Sequence, residues 1–455
     1  MIMSNRQFTR MRVVAGATLL FAVLIGSVQA GHRIFRQNAV GGISIDPEGV
    51  VREPSVESRK MLLSELRKGM EKVAPDLTAP VPLRKISLKR LHAAIEESLR
   101  TGIGRLPDEI RYLAGLQRIQ YIFVYPEEND IVLCGPGEGW RIDDNANVVG
   151  VTTGRPVLLL DDLLIALRNA DNARNGGISC SIDPTEQGYK RLNALLAKQK
   201  QVRSQRNLPA LEKAMKEAFG PQQVSIQGVP ANSHFARVLV AADYRMKRLA
   251  MNLDKSPISS LPSYVQMLKS SRDTSSNPRW WLACNYEPMV RSEDGLAWEL
   301  KGPGVKAMTE DDLVTVDGKV KGTGKTSPTA QKWADLMTDQ YDRLSGEDVV
   351  FAELRNIMDM SIVAAAIAHH DLLGVSGLSA PMLFATKSDL TVETWNSPKT
   401  IAPQCSFVKS RKGWIVTASG GVSIESWQVA SKSIVDNRMS NHREAAQGGK
   451  HWWWN

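Results

Sequence analysis

The stretch EDVVFAELRNIMDMSIVAAAIAHH, residues 347–370, constrains the fold more than any other. Its apolar run from Ile357 to Ala368 is well short of the roughly 20 residues needed to span a bilayer, and it carries Asp359. The pattern predicts a buried helix, so other parts of the chain must supply the elements that cover it. With 455 residues and 43 % hydrophobic composition, the chain has enough apolar material for that core.

The covering elements are of both kinds. QRIQYIFVY, the polar turn PEEND and IVLCG predict a hairpin, and GWRI, DDNAN and VVGVTT a second. GRPVLLLDDLLIALRNA passes from a buried run into a helix. In SHFARVLVAADYRMKRLAMNLD, Phe235, Val238, Leu239, Ala242, Met246, Leu249, Ala250 and Leu253 follow the helical period, with Asn232 or Ser233 placed to cap. RWWLACNYEPMVRSEDGLAWELKGPG predicts aromatic-rich strands, QKWADLMTDQYDRL a helix beside the buried one, and CSFVKSRKGWIVTASGGVSIES a closing hairpin. Strands led by GGISIDP (Gly41), GGISCSIDP (Gly176) and GGVSIES (Gly420) recur, and a helix pattern follows the first two, as in a repeated strand-to-helix unit. The expected class is α+β, with mixed or antiparallel sheets flanked by helices in two to three domains. The expected divisions are a leader at 1–30, an α+β domain with two hairpins at 31–170, a second strand-helix unit at 171–255 and an aromatic-rich α+β domain at 256–455.

Arg6, Arg10 and Arg12 precede an uncharged run ending in Val28-Gln29-Ala30, the pattern of a cleaved secretory signal. Its removal leaves 54 basic and 48 acidic side chains and lowers the formal charge from +9 to +6. That mild excess suits an acidic polysaccharide or another envelope component and is too dilute for specific nucleic-acid binding. No membrane helix is expected after cleavage, and the expected location is the periplasm, cell envelope or exterior. Cys134, Cys180, Cys284 and Cys405 are far apart, with no CxxC pair; export permits disulfides, and apolar flanks equally suit buried free thiols.

Together YIFVYPEENDIVLCGPGEGW, GRPVLLLDDLLIALR, SCSIDPT, HFARVLVAADYRMKRLAMNL and RWWLACNYEPM resemble an uncharacterised family of exported bacterial proteins, a domain of unknown function. The resemblance implies an extracytoplasmic setting and no particular activity.

The string GTGKT, within Gly318–Trp333, does not make a phosphate-binding loop, because the first glycine of G-x-x-x-x-G-K-[ST] would fall on Lys319. No nucleotide is expected there; GKVKGTGK reads as a mobile basic turn before a helix capped by Ser327 with Pro328 at its first position. Asp143, Asn145 and Asn147 start like a calcium loop, but Val148 and Gly154 stand where glycine and glutamate are needed, so a turn is expected. His369 and His370, adjacent on a helix, are expected to point apart and not to share a metal. His234 opens its helix, where the dipole favours a neutral ring. No cofactor or metal motif is present. An unrecognised hydrolase would draw on Cys134, Glu287, His234 and His369, although apolar flanks argue for an inert Cys134. Ligand or anion contacts fall to Lys198, Lys200, Arg203 and Arg206, to Lys319, Lys321 and Lys325, and to Lys409, Arg411 and Lys412. The tail Trp452, Trp453 and Trp454 needs a docking site, on this chain or on a partner.

Overall fold

The computed structural model describes residues 42–101, 105–199, 208–269, 271, 277–404, 406–410, 413–417, 419–447 and 454. The leader, Lys200, Arg203, Arg206, Cys405, Arg411, Lys412, Trp452 and Trp453 lie outside these residues.

The architecture is α+β. A nine-stranded mixed sheet has the order β1 (Ser44–Ile45), β2 (Val50–Arg52), β15 (Thr400–Ile401), β9 (Gln222–Gln227), β8 (Ile178–Pro184), β18 (Gly420–Ile424), β10 (Asn277–Asn285), β13 (Gly304–Val314) and β14 (Val320–Gly322). Pairings in it are antiparallel except β2 with β15 and β10 with β18. A second sheet has the order β19 (Ser433–Val435), β11 (Met289–Arg291), β12 (Ala297–Glu299), β4 (Tyr121–Tyr125), β5 (Asp130–Gly137) and β3 (Val81–Ser87). Two ribbons, β6 (Trp140–Ile142) with β7 (Val148–Gly150) and β16 (Ser406–Ser410) with β17 (Gly413–Thr417), complete the strands. The three predicted hairpins therefore form. The large sheet draws strands from each of the three segments expected as units.

The helices used below are α1 (Val56–Lys68), α2 (Leu88–Arg100), α3 (Leu160–Arg168), α4 (Glu186–Gln199), α5 (Leu208–Phe219), α6 (His234–Ala250), α7 (Pro328–Asp339), α8 (Tyr341–Glu347), α9 (Val349–His369), α10 (Ser426–Ala430) and α11 (Arg438–Ala446). As the apolar run predicts, α9 is buried along nearly its whole length, against α3, α6, α8, α10 and strand β13. Ser233 caps α6, its Oγ accepting from the Ala236 amide at 3.1 Å. Over the second sheet, α11 covers Phe123, Tyr125, Cys134, Val290 and Ala297 through Met439 and Ala446.

The recurrent glycines have a packing reason in β18, which is squeezed between β8 and β10. A Cβ on Gly420 would stand 1.6 Å from the Trp280 carbonyl oxygen, and one on Gly421 1.8 Å from that of Cys180. The strand-to-helix unit is direct only in the second copy, where β8 runs into α4. In the first, the Asp46 Oδ1 accepts from the Val50 amide at 2.8 Å, and the turn produces β2 before α1 begins. GKVKGTGK also departs from a simple turn: Val320–Gly322 pair with Asp312–Val314 as β14. Ser327 caps the following helix and Pro328 opens it, as expected.

Candidate functional site

The strongest concentration of chemistry-bearing side chains lies where the N-terminal ends of α3, α6 and α9 meet the strand-poor segment 393–396. LDDLL starts α3 with two acids, favoured by the helix dipole. Asp162 points inward, and its Oδ2 lies 2.8 Å from Nδ1 of His234, the first residue of α6, with both side chains 5 % exposed. Glu353 faces the pair from the second turn of α9. Trp395 crosses the cap of α6, its amide donating to the Asn232 carbonyl at 2.8 Å. Its ring centre lies 5.4 Å from the His234 ring and 4.8 Å from the guanidinium of fully buried Arg237. Among the described residues, Asp162 Oδ1, Glu353 Oε2, Trp395 Nε1 and Arg237 Nε and Nη1 are buried without a hydrogen-bond partner. Such atoms normally cost free energy and concentrate at sites kept for another purpose.

The electrostatics place several protons near neutrality. Burial opposes the charged form of His234, but the Asp162 charge and hydrogen bond, helped by Glu353, hold its pKa above the ordinary imidazole value. The helix dipole and burial favour the neutral ring, and a buried carboxylate in hydrogen-bond contact outweighs them in direction. Burial raises Glu353 to about 7 against the opposing pull of His234, and raises Asp161 to about 6. Burial alone brings Arg237 down to about 9.

A pH dependence follows. The raised Glu353 pKa means that the folded state binds a proton the unfolded chain has released, so this contribution is fully present below about pH 4.5 and lost as pH rises through about 7. His234, also raised, acts with the same sign. The wild-type protein is expected to lose on the order of 1–3 kcal/mol between about pH 5 and about pH 8, and Glu353→Gln to flatten that slope. Urea unfolding across this range is the measurement; an unchanged slope in the variant would count against the assignment.

The reactive residues singled out in the sequence do not converge. Cys134 is buried in β5 between Lys85 and Tyr121, Glu287 is exposed beyond β10, and His369 ends α9. From Glu353, beside His234, to His369 is sixteen positions, about 24 Å of helix. Burial pushes the Cys134, Cys180 and Cys284 thiols up, Cys284 to about 12, and all three are unbridged. In DDNAN, Asp143 Oδ1 accepts from the Asn145 and Asn147 amides at 2.8 and 2.9 Å, a turn as predicted.

Among the basic candidates, Lys198, Lys319, Lys321 and Lys325 are exposed, and Lys409 lies in β16. Trp454 is buried and bridged antiparallel to Ile86 on the edge strand β3, so this part of the tail docks on its own chain. Asp162, Arg237, Glu353 and Trp395 were not singled out from the sequence. The available signal was a glutamate inside the apolar VVFAELRNI and an aspartate inside LLLDDLLIAL.

Residues 180–264 match the family DUF1598, described as a protein of unknown function. The matched segment runs from β8 through α6 and contains His234 and Arg237, while Asp162, Glu353 and Trp395 lie outside it. No curated protein and no solved structure matches the chain. Among the described residues, no helix is long and apolar enough to cross a membrane, and no group of three or more His, Cys, Asp or Glu side chains could hold a metal ion.

Proposed function

We propose that this is an exported protein of the cell envelope or exterior that binds an acidic polymer, such as an anionic polysaccharide, and does not catalyse. One observation supports the reading: the lysine-bearing turn between β13 and β14 lies against α4, whose last turn carries Lys198. The turn between β13 and β14 packs on α4, where Asn193 Nδ2 donates to the Thr315 carbonyl at 3.1 Å. Gly318, at φ 89°, comes so close that a Cβ would stand 2.2 Å from the Glu186 carbonyl oxygen. Lys190, exposed on α4, thereby lies beside the turn that carries exposed Lys319, Lys321 and Lys325, and Lys321 and Lys325 form no ion pair among the described residues. Exposed Leu313, Val316 and Val320 are interleaved with them, a basic and apolar mixture suited to a sugar polymer.

The test is heparin binding by the full chain. Lys319→Glu, Lys321→Glu and Lys325→Glu together are expected to weaken binding at least about tenfold at roughly 0.1 M salt, with the difference shrinking as salt screens the charges. Lys387→Glu with Lys432→Glu, both exposed elsewhere, serves as the control. Equal losses in the two variants would refute a localised site.

A second reading, an extracytoplasmic hydrolase, is favoured specifically by the Asp162–His234 pair beside Glu353, a set able to hold and move a proton near neutral pH. Turnover of polysaccharide or peptide substrates that disappears in His234→Gln would support it over binding alone.

A further inference from the structure

Arg237, in the first turn of α6, is fully buried and forms no ion pair among the described residues. Comparably buried Lys247 and Arg355 each reach a carboxylate, at 2.9 and 2.8 Å. Arg237 instead has one long contact, from Nη2 to the Ile43 carbonyl at 3.4 Å, beyond the roughly 2.7–3.2 Å of an ordinary hydrogen bond donated by nitrogen. Its Nε and Nη1 have no acceptor. Burying a cation in this way is costly unless a negative group meets it.

A second donor lies beside it. Trp395 is buried with no partner for Nε1, and its ring centre is 4.8 Å from the Arg237 guanidinium. An indole nitrogen and a guanidinium only donate, so three N–H-bearing atoms on two side chains collect here with no oxygen among the described residues to receive them. Both side chains are held in place. Ser233 caps the helix that carries Arg237, the Trp395 amide donates to the Asn232 carbonyl at 2.8 Å, and Asn396 Nδ2 donates to the Ile45 carbonyl at 3.1 Å. The donors are therefore arranged before a ligand arrives, which lowers the ordering cost of binding. Thr394, next to Trp395, is exposed, and residues 393–396 form neither helix nor strand, so a small solute reaches the donors by local displacement of this segment.

We propose that Arg237 and Trp395 form a buried site for a small carboxylate, whose oxygens accept from the guanidinium and from the indole nitrogen. Charge decides the class. One guanidinium balances one negative charge, whereas phosphate near neutral pH brings most of a second and buries it uncompensated. A neutral solute leaves the cation unbalanced. An ionised carboxyl group is acceptor-only and has lone pairs enough for all three donors. The bound acid fastens segment 393–396 to α6. This site rests neither on the lysine-bearing turn between β13 and β14 nor on proton transfer by His234.

The test is equilibrium dialysis of the full chain against radiolabelled acetate at roughly neutral pH and roughly 0.1 M NaCl, where pairing at surface lysines is screened. Wild type is expected to bind one acetate per chain, displaced more strongly by formate than by phosphate. Arg237→Met is expected to weaken binding at least about tenfold, the effect of losing a charged hydrogen-bond donor. Trp395→Phe keeps the ring, removes only the N–H, and is expected to weaken binding about three- to tenfold. Trp427→Phe removes an indole N–H that donates to the Ala170 carbonyl at 2.7 Å, away from this site, and is expected to leave acetate binding unchanged. The proposal is overturned if wild type shows no saturable binding, if a folded Arg237→Met retains it, if Trp395→Phe and Trp427→Phe behave alike, or if phosphate is the stronger competitor.

Discussion

Asp359→Ala is expected to destabilise the fold by about 3–5 kcal/mol, the cost of leaving one member of a buried ion pair behind. Asp359 is fully buried on α9. Its Oδ2 accepts from Arg118 Nε at 2.7 Å, and its Oδ1 accepts from Arg118 Nη2 at 2.9 Å and from the Tyr286 hydroxyl at 2.6 Å. One carboxylate thus joins the central helix to the segment before β4 and to the end of β10, residues that enter both sheets. Alanine removes the acceptor for a bidentate guanidinium and for a buried hydroxyl at once. Asp359→Asn keeps an oxygen of the same shape and should cost less. Urea midpoints of the two variants measure the difference; a midpoint for Asp359→Ala within error of wild type would show that the connection contributes nothing.

The second large effect lies at Lys247, fully buried with its partner Asp243. Lys247 Nζ donates to Asp243 Oδ2 at 2.9 Å, to the Ile182 carbonyl at 2.8 Å and to the Gly420 carbonyl at 3.3 Å, using all three of its protons. It therefore fastens α6 to β8 and β18 in the middle of the large sheet. Lys247→Met is expected to cost about 3–5 kcal/mol at neutral pH, because Asp243 stays behind without its cation. Burial already raises Asp243 to about 6, against the pull of Lys247, and without the lysine it rises further. A carboxyl raised in the folded state contributes stability at low pH that is lost as pH rises, so the variant should recover partly on acidification. Adding Asp243→Leu should return much of the loss, since a buried ion pair can be replaced by apolar groups at little cost. A double-mutant cycle by urea unfolding tests both statements, and additive losses would contradict the pairing.

These two sites also mark how far the sequence could be read. Asp359 was legible as the charge that argues against a membrane span, but its partner Arg118 is 241 residues away and nothing local announces the pairing. The amphipathic period of α6 was legible with its Ser233 cap, whereas the same period placed Arg237, Asp243 and Lys247 on a helix whose other sides are buried too. A polar residue on a helix is solvated by default; only the layer laid over it makes it a buried charge. His369 and His370, expected to point apart, instead touch edge to face, with Nδ1 atoms 3.5 Å apart and ring planes at 70°, His370 being the cap of α9 and not a helical residue.

The sequence by itself determined the α+β class, the hairpins β4–β5, β6–β7 and β16–β17, the buried character of α9 and the caps of α6 and α7, because each depends on neighbours within a turn or two of chain. Only the tertiary structure decided that β18 slots between β8 and β10, that the β13–β14 turn lies on α4, and that Asp162 meets His234 within electrostatic reach of Glu353. Those contacts join positions tens to hundreds of residues apart. They are selected by the burial of shared apolar surface and the satisfaction of distant polar groups, neither of which leaves a periodic trace in the chain.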